Sequence, residues 1–174
     1  MDERLQKQLD FALEIDKEKN IFRQTHLSGH GRNENDAEHA WHMAIMAYLL
    51  REYANERVNI ERVMIMCLIH DIVEIDAGDT YAYDAEGLKT QKAREEAAKE
   101  RIFSLLPDDQ KKELSALFDE FEANETPESR FAHAILFFCK HYFKMCGISV
   151  LYTCQETNGQ FLFKEFHKIF YVII

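Results

Sequence analysis

Along most of the chain, apolar residues recur at the three-and-four spacing of amphipathic helices. From Asp2 to about Asn20, the residues Leu5, Leu9, Phe11, Ala12 and Ile15 fall among charges and predict a first helix with one buried face. The period is lost over Ile21 to Asn33 (IFRQTHLSGHGRN), where two glycines and two histidines predict a loop. Asn35 with Glu38 three residues on reads as a capping box, and Ala40, Trp41, Ala44, Ile45, Ala47, Tyr48 and Leu49 carry a second helix to about Tyr53. A third begins after Asn59. Its Val63, Met64, Met66, Cys67, Ile69 and Ile72 make it nearly apolar all round, the pattern of a central helix. Gly78 breaks this pattern. Glu86 to Leu106 is rich in Lys, Arg, Glu and Ala with Ile102, Phe103 and Leu106 inward, a helix with one solvated face. Pro107 suits the first turn of another helix that ends near Asn124, and Thr126-Pro127-Glu128 opens one more, with Phe131, Ala134, Ile135 and Phe138 on one side. No convincing strand pattern occurs in this body, residues 1–134, so the fold class it predicts is all-α, a single helical bundle.

From about Ile135 the sequence changes in kind. The last 40 residues hold seven of the thirteen Phe, three of the four Cys and four Lys, but no Asp, Arg, Ala or Pro. Four lysines against two glutamates give this segment +2, so the −10 of the whole chain rests on −12 over residues 1–134. ISVLYT and QFLF flank Thr157-Asn158-Gly159, which suits a hairpin turning on the Asn-Gly pair, while a helix over Phe161 to Phe170 fits as well. Residues 135–174 therefore read as a divergent C-terminal segment, replaced or out of frame relative to the body.

A chain of 174 residues with 47% hydrophobic content suits one core. Acids outnumber bases 31 to 21, which argues against a nucleic-acid polymer as partner and leaves a small nucleotide held through a metal open. No apolar run reaches 18 residues and MDERLQKQLD has no apolar centre, so neither a membrane span nor a signal peptide is expected. The expected location is cytoplasmic, with Cys67, Cys139, Cys146 and Cys154 as free thiols, since none lies in a CxxC spacing.

One stretch concentrates chemistry: CLIHDIVEIDAGDT, Cys67 to Thr80, where an apolar helix acquires a His and four acids. Burying charge is costly unless it is paired or bound to a metal. His70 and Asp71 near the end of the third helix, with His39 in the first turn of the second, could meet on one ion if the two helices are antiparallel. Imidazole plus carboxylate suits a first-row divalent cation, and an open site would turn a bound water into a nucleophile, so hydrolysis is the natural chemistry. The bland reading of His70-Asp71 is a buried ion pair, a weak stabiliser in Met-Cys-Leu-Ile surroundings. Glu74 shares their helix face if the helix continues, and could relay a proton. Asp79, after Gly78, could meet a sugar hydroxyl or act as a turn residue. Arg23 and Arg32 could clamp a phosphate or lie on the surface. Trp41 reads as core and His42 as a helix-surface residue.

RNENDAEHAWH, HDxxExxxGD and ETPESRFAHA, in this order over about Ile21 to Ala134, resemble the HD-domain metal-dependent phosphohydrolases, and among them the small hydrolases that include the 5′-deoxynucleotidases. The resemblance implies an all-helical, usually dimeric fold, a divalent metal such as manganese, cobalt or magnesium, and hydrolysis of deoxynucleoside 5′-monophosphates to deoxynucleoside and phosphate. It makes His39, His70 and Asp71 metal ligands, Glu74 the acid that handles the catalytic proton, Asp79 a substrate-pocket residue and Arg23 a phosphate contact. The family's fourth ligand is an Asp in a segment like FAxAxD; here FAHAIL puts Leu136 at that place, and no Asp follows Asp119. Leucine cannot ligate a metal, so a catalytically impaired nucleotide-binding protein stands beside the hydrolase as an alternative, as does a hydrolase of another phosphate ester. His133, one turn before Leu136, is a poor substitute ligand.

Overall fold

The computed structural model describes residues 2–27, 31–78 and 85–152. Helix α1 (Glu3–Ile15) starts at Asp2, whose carboxylate accepts from the Arg4 amide at 3.2 Å, and tightens into a 3-10 turn over Asp16–Asn20. Strands β1 (Phe22–His26) and β2 (Asn33–Asn35) follow, then α2 (Asp36–Leu50) and a 3-10 turn over Arg51–Tyr53. Helices α3 (Ile60–Ile69), α4 (Glu74–Ala77), α5 (Ala85–Phe103), α6 (Asp108–Ala123) and α7 (Pro127–Tyr152) complete the order. The helices lie where the apolar spacing puts them except that the third, expected to continue through Ile72, ends at Ile69 and a short α4 follows the turn, and the molecule is a helical bundle.

The segment expected to be a loop, Ile21 to Asn33, instead holds a small antiparallel pair: Phe22 faces Asn35 and His26 faces Asn33, with an irregularity between. The reason it escapes an apolar pattern is its inward side. Along β1 the buried and half-buried positions are Arg23 and Thr25, so the strand alternates with polar residues inward. A second correction concerns α2, whose buried face is Ala40, Met43, Ala44 and Ala47, while Trp41 is 61% exposed and Ile45, Tyr48 and Leu49 are exposed with it. Met43 at 0% exposure takes the core position that Trp41 was expected to fill.

The core joins this face of α2 to Val63, Met66 and Cys67 of α3, Ile102 and Phe103 of α5, Phe118 and Phe121 of α6, and Phe131 and Ile135 of α7. Helix ends are set by local chemistry. Asn124 adopts the left-handed conformation (φ 52°) and closes α6. Thr126 and Ser129 then cap α7 reciprocally: the Ser129 amide donates to Thr126 Oγ1 at 3.1 Å and the Thr126 amide to Ser129 Oγ at 3.0 Å. Helix α7 runs unbroken to Tyr152, so Ile148 to Tyr152, the first arm of the expected hairpin, is helical. Once a helix is nucleated, extending it is easier than starting a strand, which outweighs the preference of Ile148 and Val150. QFLF, Phe161 to Phe170 and Asp79 lie outside the described residues. Among the described residues no helix is long and apolar enough to cross a membrane.

Candidate metal centre

His39 is carried on the first turns of α2, and that turn is firmly built. Asn35 Oδ1 accepts from the Glu38 amide at 2.9 Å, Glu38 Oε2 accepts from the Asn35 amide at 3.2 Å, and Arg32 grips the Glu38 carboxylate with both guanidinium nitrogens. Arg32 is thereby engaged with the cap rather than turned to the cluster. His39 itself is 3% exposed, and its Nδ1 lies 3.6 Å from Glu34 Oε2, an acid that also accepts from Thr25 Oγ1 at 3.1 Å.

His70 and Asp71 stand where α3 gives way to a turn. The last four carbonyls of a helix lack partners within it, and His70 uses one: its Nδ1 lies 2.9 Å from the Cys67 carbonyl oxygen. That bond requires Nδ1 to carry the proton, which leaves the lone pair on Nε2. The backbone then tightens, with the Ile72 amide donating to Ile69 O at 3.3 Å and the Glu74 amide to Asp71 O at 2.8 Å.

α2 and α3 pack along each other, and this brings the three side chains together. One donor atom each from His39, His70 and Asp71 lies within 4.8 Å of the others, and all three residues are buried. The imidazole rings are 5.6 Å apart between centroids. Among the described residues, Nε2 of His39 and Nε2 of His70 are buried without a hydrogen-bond partner; His70 Nε2 approaches Asp71 Oδ2 to 3.0 Å, close in distance but not aligned as a hydrogen bond. Two buried imidazole nitrogens with no proton partner are costly in a protein interior and are what a cation would satisfy.

The electrostatics agree. Burial lowers the His39 pKa, favouring the neutral imidazole that ligation needs. Burial works against ionising Asp71, but the positive charge beside it, the Arg23 guanidinium included, outweighs it and holds its carboxyl well below the usual range. Arg23 donates through Nη1 to Asp71 Oδ2 at 2.5 Å and to Asp36 Oδ1 at 2.9 Å. Asp36 is fully buried, and its pKa is raised by burial and by Asp71 against the pull of Arg23. Glu74, at the head of α4, is half-buried.

The description HD domain matches residues 15–156 of the chain. The chain belongs to the HD-domain family of metal-dependent phosphohydrolases. It is similar to the crystal structure of a predicted metal-dependent phosphohydrolase from Magnetospirillum magnetotacticum MS-1, with 55% identity and a TM-score of 0.72 over 77% of this chain and 68% of that one. It is 34% identical to the human 5′-deoxynucleotidase HDDC2 over 58% of its own length and 48% of that protein, and 28% identical to an Enterobacter 5′-deoxynucleotidase over 54% and 51%. The chain thus spans about half the length of the curated relatives it matches. A conserved hypothetical protein from Pyrococcus furiosus shares the fold, at 19% identity and a TM-score of 0.63.

In this HD domain, His39, His70 and Asp71 form a three-residue cluster consistent with a divalent cation. Leu136 packs half-buried against the core and brings no donor. His133 does not replace it: its Nε2 lies 2.8 Å from the Phe121 carbonyl and its ring stacks on Phe121 at 4.2 Å. Sequence reasoning missed Glu34, Asp36 and Glu18, a 7% exposed acid of the first 3-10 turn whose pKa is raised to about 7 by burial and by Asp71 and Asp36. A signal existed for Asp36, three residues before His39 and so on its helix face.

Proposed function

We propose that this HD domain hydrolyses phosphate monoesters, with deoxynucleoside 5′-monophosphates as the substrate class and deoxynucleoside and phosphate as products. The observation that carries the reading is the buried cluster of His39, His70 and Asp71 with two imidazole nitrogens lacking partners. Similarity to proteins named 5′-deoxynucleotidase supports the substrate class.

His39 and His70 through Nε2, and Asp71 through its carboxylate, would hold the ion. A bound divalent cation supplies Lewis acidity and brings the pKa of a water towards neutrality. Three protein donors leave room for water, the pattern of catalytic rather than closed structural sites. Glu74, three residues past Asp71 and half-buried at the head of α4, would handle the proton of the reaction. Asp79 would meet the sugar hydroxyl. Homodimer assembly, which the resemblance implies, is checked by light scattering.

A second reading rests on Leu136: with no fourth carboxylate, the domain binds nucleotide and metal weakly and turns nothing over. Phosphate release from deoxynucleoside and ribonucleoside monophosphates and from simple phosphate esters, with manganese, cobalt or magnesium, separates the readings. Release that favours deoxynucleotides and disappears in His70→Ala is expected. Preference for another ester would move the substrate class, and no release despite stoichiometric bound metal would favour the second reading.

A further inference from the structure

We propose that Arg23 and Asp36 form a positioning clamp that holds the two ligand-bearing elements of the cation cluster in register, and that Arg23 is not the phosphate contact. The inference rests on His39, His70 and Asp71 as cation ligands and on no particular substrate.

The geometry is that of a junction. A single nitrogen, Arg23 Nη1, reaches Asp71 Oδ2 at 2.5 Å and Asp36 Oδ1 at 2.9 Å. Asp71 is itself a cluster residue in the turn after α3, and Asp36 is the first residue of α2, one turn ahead of His39 on the same face. Arg23 sits on β1, so one guanidinium joins three elements, two of which carry ligands. The backbone is stitched at the same place: the Asp36 amide donates to the Ile21 carbonyl at 3.1 Å, and Asn33 Nδ2 donates to the Arg23 carbonyl at 2.8 Å across the strand pair. Through these bonds the position of His39 is tied to that of Asp71 before any cation arrives.

Charge makes the clamp necessary. Asp36 and Asp71 are 0% and 7% exposed and lie close enough to share one nitrogen, with Glu18 and Glu74 adding to the same field. Without a cation between them the two carboxylates repel in a poorly solvated space. Arg23 is 8% exposed, and its pKa is raised by Asp71, Asp36 and Glu74 against the effect of burial. A guanidinium turned away to grip a phosphate would strand the buried Asp36 carboxylate. Lysine keeps the charge but puts it on a flexible stem, without the rigid planar group that fixes Nη1 between the two carboxylates.

The test is Co2+ affinity, measured by calorimetry and by the visible absorption of the bound ion, in Arg23→Lys, Asp36→Asn and the double variant. Asp36→Asn is isosteric, so it carries the test should Arg23→Lys fail to fold. Each single variant is expected to weaken Co2+ binding about 10- to 100-fold, the usual effect of losing a group that orients a ligand. The double variant should lose little more than either single one, because the two residues act as one unit. KM for a phosphate ester at saturating Co2+ should stay near that of the parent in Arg23→Lys. A raised KM with unchanged Co2+ affinity would make Arg23 a phosphate contact and overturn the clamp. A parent protein that binds Co2+ without releasing phosphate would sink the hydrolase reading and leave the clamp standing.

Discussion

The Cys67 carbonyl, rather than any side chain, decides what His70 can do. It is one of the carbonyls that α3 cannot satisfy internally, and by accepting the hydrogen bond of Nδ1–H it leaves Nε2 on the side of His39 and Asp71. The dipeptide His70-Asp71 was readable because charges are rare in an apolar helix, and His39 because it follows a capping box. Arg23 was readable only as a cation, since nothing in the sequence says which acids it will meet. Leu136 stands where the resemblance expects a fourth carboxylate. Leu136→Asp would restore a carboxylate to the helix that packs on both α2 and α3. The expected outcome is Co2+ or Mn2+ binding tighter by on the order of tenfold or more, with phosphate release rising in parallel. Unchanged metal affinity and unchanged release in a folded Leu136→Asp protein would remove this position from the ligand set.

Elements rather than residues fix the precision of the cluster, and their ends are its weakest points. The Asn35 cap holds the first turn of α2, so Asn35→Ala should cost about 1 kcal/mol of stability in urea unfolding. Because His39 sits one turn inside that cap, Co2+ affinity should fall with it; a loss of stability with unchanged affinity would show that the cap serves the helix alone. Gly78 ends α4 with φ 73° and ψ 151°, a conformation essentially reserved for glycine. Among the described residues a Cβ there would meet no atom within 4 Å, so the expected cost of Gly78→Ala is one of backbone conformation. It should amount to about 1–3 kcal/mol by denaturant unfolding, and a value near zero would mean that the α4 end relaxes freely. The long helices were legible because each buries an apolar stripe over several turns, whereas the four-residue α4 was not. The β1–β2 pair was not, because its inward positions are Arg23 and Thr25, polar residues that face the cluster instead of the core. The strand that sequence reading missed is the one that carries the clamp.

At the scale of the whole molecule, the three cluster residues and Arg23 come from α2, the turn after α3, and β1, elements separated by up to 48 residues between Arg23 and Asp71. A cation bound there belongs to the folded state only, since the unfolded chain does not hold the donors together. Stability and metal concentration are therefore linked. At a free ion concentration of about 100 times Kd, binding adds about 2.7 kcal/mol to the folded state. For a domain of this size each kcal/mol moves Tm by roughly 2–4 °C, so saturating Mn2+ or Co2+ should raise Tm by about 5–10 °C and a chelator should reverse it. The same titration separates the cluster from adventitious binding on an acidic surface that carries a net −10. Ions held by exposed carboxylates are screened by salt, whereas the buried cluster is not, so the shift should persist at 0.5 M NaCl. It should vanish in His70→Ala. A shift that survives in His70→Ala, or that salt abolishes, would place the stabilising ion elsewhere and remove the cluster from its proposed role.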